Sequence, residues 1–253
     1  MFEQYLKLIK KLRKQCPWDK KQTLASSRAY IIDEAYELEE AIREKDIRKI
    51  TEELGDLLYT TMFVAQILAE KKKTTFNKIE NNTIKKLISR HPHIFGKVKV
   101  KNAQQVLTNW EKIKRAKEKT PMLDRIPKSL PALKKAQMIQ ERVARVGFDW
   151  KNRNDVYKKI TEEINELRQA LKSKNKAEIE EEFGDLFFAL VNLARHLKLD
   201  AELTLNLANK KFIDRFNKVE HHFHSRNKNL SDSTLAEMDK VWEVIKKKQK
   251  KRN

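Results

Sequence analysis

Two glutamates three residues apart, followed by a glutamate and an aspartate three residues apart, occur twice in this chain. The first set is Glu34, Glu37, Glu53 and Asp56, and the second is Glu163, Glu166, Glu182 and Asp185. On a helix, residues three apart share a face, so each pair projects together. Facing the two helices gathers four carboxylates in one small volume. Like charges packed so closely repel, which makes chemical sense when a cation sits among them. Oxygen-only ligands suit a hard ion, Mg²⁺ or Mn²⁺, better than Zn²⁺. Mg²⁺ keeps several waters and picks up substrate phosphates, so the pattern points to a phosphorylated ligand.

One Glu-x-x-Glu by itself is commonly a solvated helix face. Two features set these apart: the full set repeats in the same order, and each aspartate follows a glycine and opens an apolar stretch. Asp185 leads into Leu186-Phe187-Phe188-Ala189-Leu190 and Asp56 into Leu57-Leu58-Tyr59. That context predicts that both aspartates are withdrawn from solvent.

Lys211 and Arg215, four apart on one helix face, can grip phosphate oxygens, the arginine bidentately and the lysine as a point charge. They repeat as Lys86 and Arg90. Trp242 is either a stacking surface for a nucleobase or a core residue. His221, His222 and His224 have no counterpart in the other half and are read as surface residues. Cys16, the single cysteine, is read as a small packed side chain.

The elements that must position these groups are helices. Ile31, Ala35, Leu38 and Ile42 recur at helical spacing, as do Ile160, Ile164, Leu167 and Leu171, and no stretch sustains a period of two. The fold class expected is all-α, in two tandem helical-bundle modules. The repeat supports this division: Glu34 and Glu163, and Asp56 and Asp185, share an offset of 129 residues. Pro121, Pro127 and Pro131 mark a linker at 115–133, between modules at 1–114 and 134–246. Residues 247–253 form a basic tail expected to fray.

Composition limits the function classes. The 253 residues include 4 glycines and 5 prolines, and the formal charge is +20. So basic a chain raises nucleic-acid binding as an alternative, but the lysines alternate with acidic residues instead of forming one stripe. No apolar run is long enough for a membrane span. The N-terminal residues do not read as a signal peptide, and a cytoplasmic location is expected.

Taken in order, Cys16-Pro17-Trp18-Asp19, the first acidic set, Arg90-His91-Pro92-His93-Ile94-Phe95-Gly96, Val146-Gly147-Phe148-Asp149-Trp150, the second acidic set and Asn192-Leu193-Ala194-Arg195-His196-Leu197 resemble the MazG family of nucleoside triphosphate pyrophosphohydrolases. The resemblance implies an all-α tandem of MazG-like domains working as a homodimer. It implies hydrolysis of a nucleoside triphosphate between the α and β phosphates, in a role of nucleotide-pool sanitation. Glu163, Glu166, Glu182 and Asp185 would hold Mg²⁺, and Lys159, Glu162, Glu163, Glu181, Asp185, Lys211, Arg215 and Trp242 would contact the nucleotide. It favours the C-terminal module as the catalytic one, leaving Glu34, Glu37, Glu53 and Asp56 as a possible second metal site. One departure stands out: Glu178 occupies a position where the family can have lysine, so either Lys174 or Lys176 substitutes or one phosphate contact is missing.

Overall fold

The computed structural model describes residues 2–116 and 121–250. Among these residues the regular structure is helical, without strands. In chain order the helices are α1 (Phe2–Gln15), α2 (Pro17–Lys21), α3 (Ser27–Glu44), α4 (Ile47–Glu70), α5 (Phe76–Arg90), α6 (Pro92–Phe95) and α7 (Ala103–Ala116), then α8 (Ala132–Ala144), α9 (Arg153–Ser173), α10 (Lys176–His196), α11 (Ala201–His224) and α12 (Leu235–Lys250), with a 3₁₀ turn at Leu230–Asp232. This is the all-α architecture that the periodicity predicts.

The helices start where the sequence supplies side-chain caps. Asp46, Thr75, Asn152, Asn175 and Asp200 each accept a hydrogen bond from a backbone N–H of the helix that follows. Such a cap satisfies a donor that the first turn leaves free and is worth about 1 kcal/mol.

The chain divides into two units, Met1–Glu118 and Lys119–Asn253, each with one copy of the repeat. In the first, Ile9 of α1 is buried against Phe63 and Ile67 of α4. In the second, Val156 and Ile160 of α9 are buried against Ala189 of α10. Of the linker expected at 115–133, residues 117–120 lie outside the described residues. Its later part packs within the second unit: Ile126 is buried, and Arg142 of α8 donates to the carbonyls of Met122 and Arg125. The basic tail expected at 247–253 is helical as far as Lys250, and its last three residues lie outside the described ones.

In both units the helices carrying the acidic pairs form a hairpin closed by two residues. Lys45 and Asp46 join α3 to α4, and Lys174 and Asn175 join α9 to α10. The two lysines adopt the left-handed conformation, at φ 59° and 58°, which turns the chain sharply before the cap starts the next helix. Glu178 braces the second turn, accepting from Ser173 Oγ at 2.7 Å and Asn175 Nδ2 at 2.8 Å.

Gly184 lies inside α10, where glycine weakens a helix. A Cβ added there meets no atom within 4 Å, so packing within the unit does not demand glycine. Gly184→Ala is expected to stabilise the protein by about 0.5–1 kcal/mol, read as an increased urea midpoint with unchanged slope.

Candidate functional site

The carboxylates are symmetric about each turn. Glu163 lies eleven residues before Lys174 and Asp185 eleven after it, while Glu166 and Glu182 lie eight away on either side. In a hairpin, positions equally far from the turn stand abreast, so Glu163 faces Asp185 and Glu166 faces Glu182. Glu34, Glu37, Glu53 and Asp56 have the same spacing about Lys45.

The side chains complete the convergence. Oxygens of Glu163, Glu166 and Glu182 lie within 4.8 Å of one another, and so do those of Glu34, Glu37 and Glu53. Asp185 and Asp56 are close enough for their charges to act on these groups. Desolvation, followed by repulsion from Glu166, Glu163 and Asp185, raises the Glu182 carboxyl above the ordinary glutamate range. Glu166 is raised by desolvation and by Glu163. In the first unit Glu34 is raised by desolvation and then by Asp56, Glu37 and Glu53, and Glu53 by desolvation and then Glu37. These are the physical signs of a cluster in which a divalent cation fits.

Glu163 is the buried member, 4% exposed. Its charge is met by Lys159, one turn earlier, whose Nζ lies 2.7 Å from Glu163 and 2.6 Å from Glu162. Hydrogen bonds to Glu162 and then Glu163 hold the Lys159 ammonium well above the usual lysine range.

The aspartates are not withdrawn from solvent as their apolar context predicts. Both Asp185 and Asp56 are exposed. The following apolar run wraps around the helix instead of lying on one side: Leu186, Ala189 and Leu193 pack inward, whereas Phe187, Phe188 and Leu190 remain exposed in the single chain. Asp185 sits on the open side.

Beside the second cluster is a cavity of about 680 Å³. Lys159, Glu163 and Asp185 contribute to its wall, together with Gln140, Phe148, Trp150, Asn192 and Arg195. Carboxylates and a lysine thus share one cavity with aromatic and amide side chains. Arg195 fixes part of this wall. It pairs with Asp149, with Nη1 at 2.9 Å from Oδ2, and its Nε and Nη2 donate to Asn192 Oδ1 at 3.1 and 2.7 Å. His196 Nε2 lies 3.1 Å from Asp149. Burial works to raise the Asp149 carboxyl, but Arg195 and His196 outweigh it and hold the group below the usual aspartate range.

Lys211, Arg215 and Trp242 do not line this cavity. They lie on α11 and α12, where Arg215 stands over the Trp242 ring at 5.8 Å and donates to Gln249 Oε1 at 2.7 Å. Phe212 packs on the same indole at 5.1 Å. The first unit repeats the arrangement, with Arg90 5.3 Å from the Trp110 ring. Glu162 is the second partner of Lys159, and the exposed Glu181 contributes to the charge around Glu182. Lys174 forms the turn itself, eleven residues from Glu163 and so roughly 16 Å away along the helix. Lys176 lies 3.7 Å from Glu180.

The two units differ most beside their clusters. At the constant offset of 129, Tyr30 stands where the second unit has Lys159, and Phe63 where it has Asn192. Beside the first cluster, a cavity of about 120 Å³ is lined by Trp18, Tyr30, Glu34, Tyr59 and Phe63 among others. Trp18 and Tyr30 meet edge to face at 5.8 Å, and Tyr59 and Phe63 pack at 5.7 Å. Aromatic rings take the space that is open in the second unit.

Sequence reasoning did not assign Gln140, Asp149, Asn192 or Arg195 to the site. The signal lay in the Gly147-Phe148-Asp149-Trp150 and Asn192-to-Leu197 segments, which were noted as motifs but given no role. Asn192 falls seven residues after Asp185, two helical turns on and therefore on the same face.

Comparison with known proteins agrees with this architecture. The MazG nucleotide pyrophosphohydrolase domain matches twice, at residues 22–95 and 152–224. The nucleoside triphosphate pyrophosphohydrolase of Escherichia coli K12 is 44% identical over 92% of this chain and 91% of its own length. The nucleoside triphosphate pyrophosphohydrolase/pyrophosphatase MazG of Thermotoga maritima is 41% identical over 97% of this chain and 96% of its own. The uncharacterized protein YabN of Bacillus subtilis is 40% identical over 99% of this chain, which spans 52% of it. With the domain present in each half and these relatives matched over most of its length, the chain belongs to the MazG family.

Proposed function

We propose that the second unit hydrolyses nucleoside triphosphates between the α and β phosphates, giving the monophosphate and pyrophosphate. The observation that carries this reading is the carboxylate cluster sharing a cavity of about 680 Å³ with aromatic and amide side chains. The activity for which the Escherichia coli and Thermotoga maritima relatives are named supports it.

Glu163, Glu166, Glu182 and Asp185 would hold Mg²⁺, with Mn²⁺ as the alternative. Their all-oxygen donor set and mutual repulsion fit such an ion. Bound there, the metal would supply Lewis-acid neutralisation of charge on the phosphates. The chain's own groups do the rest. One of the cluster carboxylates takes a proton from the attacking water as its oxygen bonds to the α phosphorus and the bond to the bridging oxygen breaks. Lys159 balances the buried Glu163. Glu162 and Glu181 add to the negative rim, and Lys211, Arg215 and Trp242 form a nucleotide-contacting group on α11 and α12. The first unit retains carboxylates for a second metal site, and among the described residues the cavity beside Glu34 has a volume of about 120 Å³.

Two further parts of the reading concern context. Exposed Phe183, Phe187 and Leu190 on α10, with Phe212 and Ile213 on α11, form apolar surface suited to a homodimer, which sedimentation would detect as twice the monomer mass. Among the described residues no helix is long and apolar enough to cross a membrane. A cytoplasmic role in clearing unwanted nucleotides agrees with the proposed reaction. The charge of +20 favours one competing reading, a nucleic-acid-binding protein with a vestigial metal site. It requires salt-dependent DNA or RNA binding without pyrophosphate release.

The deciding experiment is incubation with the common triphosphates and Mg²⁺, assaying pyrophosphate and orthophosphate separately. Pyrophosphate with monophosphate is the expected result, and orthophosphate alone refutes the reading. Proton linkage gives a second check. Glu166 and Glu182 are raised above the ordinary 4.5, so in the metal-free protein their ionisation is opposed and their contribution to stability is lost as pH rises through the raised values. Mg²⁺ binds the ionised forms. Its affinity should therefore weaken as pH falls through those values toward 4.5, and Mg²⁺ should raise Tm more at pH 7 than at pH 5.

A further inference from the structure

The loop between α8 and α9 is tied to α10 through Asp149. Gly147, at φ 90°, ends the turn after α8, and the Phe148 N–H bonds the Val143 carbonyl at 3.1 Å. Asp149 comes next, and its carboxylate takes a fork from Arg195 of α10, with Nη1 on Oδ2 at 2.9 Å and Nη2 on Oδ1. The same Oδ1 accepts the Trp150 N–H at 2.9 Å and lies 3.1 Å from His196 Nε2. Fixing Asp149 therefore fixes the chain on both sides of it, where Phe148 and Trp150 stand.

Those two residues line the cavity whose wall includes Lys159, Glu163 and Asp185. Both are exposed, Phe148 at 78%. Aromatic rings left in water at a cavity wall gain from a ligand that covers them. A loop without an anchor would have to be ordered at the moment of binding, and that ordering weakens affinity. Arg195 removes the need. Its side chain is 14% exposed, and its Nε and Nη2 also donate to Asn192 Oδ1 at 3.1 and 2.7 Å. The guanidinium is thus committed to the protein on both edges, as a brace and not as a grip on phosphate. The first unit ties the corresponding pair by other means. Trp18 lines the cavity beside Glu34, Asp19 follows it, and Tyr59 Oη of α4 donates to Asp19 Oδ1 at 3.5 Å. In both units an aromatic residue lining the cavity precedes an aspartate held by the helix that carries the second acidic pair.

We infer that Arg195 is a positioning residue for nucleotide binding: through Asp149 it holds Phe148 and Trp150 as a preformed wall against which the nucleoside part of the substrate lies. This rests on the hydrolytic reading above. Arg195 acts on binding more than on the chemical step, since the carboxylates of α9 and α10 do not depend on the loop.

The test sets Asp149→Ala, which frees the loop and leaves the Arg195 charge in place, beside Arg195→Met, which keeps the stem and removes the fork. The substrate is the common triphosphate that wild type turns over fastest. Both variants should raise KM at least about tenfold with kcat within about threefold of wild type, the pattern of lost binding. An arginine that gripped phosphate directly would keep its role in Asp149→Ala. In hydrogen exchange, residues 145–152 of both variants should exchange at least about tenfold faster while α9 exchanges as in wild type. With Phe148→Ala and Trp150→Ala already in place, Asp149→Ala should alter KM by less than about twofold, because the rings through which it acts are gone. Should alanine unfold the protein, Asp149→Asn keeps the shape, weakens the fork and is read the same way. Unchanged KM in the variants, unchanged exchange of the loop, or a full Asp149→Ala effect without the rings overturns the inference. If wild type releases no pyrophosphate, the hydrolytic reading fails separately. Calorimetry with the same triphosphates then decides the inference: affinity at least about tenfold weaker in the variants supports it, and equal affinity, or no binding by wild type, overturns it.

Discussion

Glu163→Gln is expected to reduce pyrophosphate release by at least about a thousandfold, the scale on which losing one preorganised electrostatic group slows an enzyme. The substitution keeps the shape and removes one charge. Among the three converging glutamates, Glu163 is the buried one, so water compensates least for its loss. It also joins the carboxylate cluster to Lys159 at 2.7 Å. Removing its charge therefore takes a ligand from the cluster and leaves Lys159 with Glu162 alone. The fold should hold, because the isosteric amide can still hydrogen-bond to neighbouring groups. Normal turnover in the variant, with an unchanged Mg²⁺ midpoint, would remove Glu163 from the mechanism. Glu34→Gln, the matching change in the first unit, should leave turnover largely intact.

The second large effect comes from converting one unit into the other. Lys159→Tyr with Asn192→Phe reproduces the first unit's residues at equivalent positions. The account expects a loss of at least about a hundredfold in kcat/KM, because the two rings fill the cavity and the cation beside Glu163 is gone. Mg²⁺ binding should survive, since all four carboxylates remain. That separation is informative, because a variant that also loses Mg²⁺ would show that Lys159 organises the cluster instead of the substrate. Turnover at the wild-type rate would show that the 680 Å³ cavity does not receive the nucleotide.

Much of the site was legible because helices convert sequence spacing into geometry. Glu-x-x-Glu and Glu-x-x-Asp place side chains on one face, and a repeat at constant offset marks them as a unit. The equal distances from Lys45 and Lys174 were also readable, and they specify which carboxylates face each other once a hairpin is assumed. Exposure was not readable. Apolar residues follow Asp185 on several sides of α10, and the sequence alone does not say which side meets α9 and which remains open. The cavity was not legible either. Gln140, Phe148 and Asn192 come from α8, a loop and α10, far apart in the chain, and only packing brings them together. Two of the differences between the units are Tyr30 at the position of Lys159 and Phe63 at that of Asn192. Both are visible in an alignment of the halves, but they gain meaning only when the cavity is seen to be filled.

The central claim is attack of water at the α phosphorus by the second unit. Turnover of a nucleoside triphosphate with Mg²⁺ in ¹⁸O-enriched water, followed by ³¹P NMR of the products, tests it most directly. The account predicts one ¹⁸O in the nucleoside monophosphate and none in the pyrophosphate. Label in the pyrophosphate, or release of labelled orthophosphate from the γ position, would contradict it.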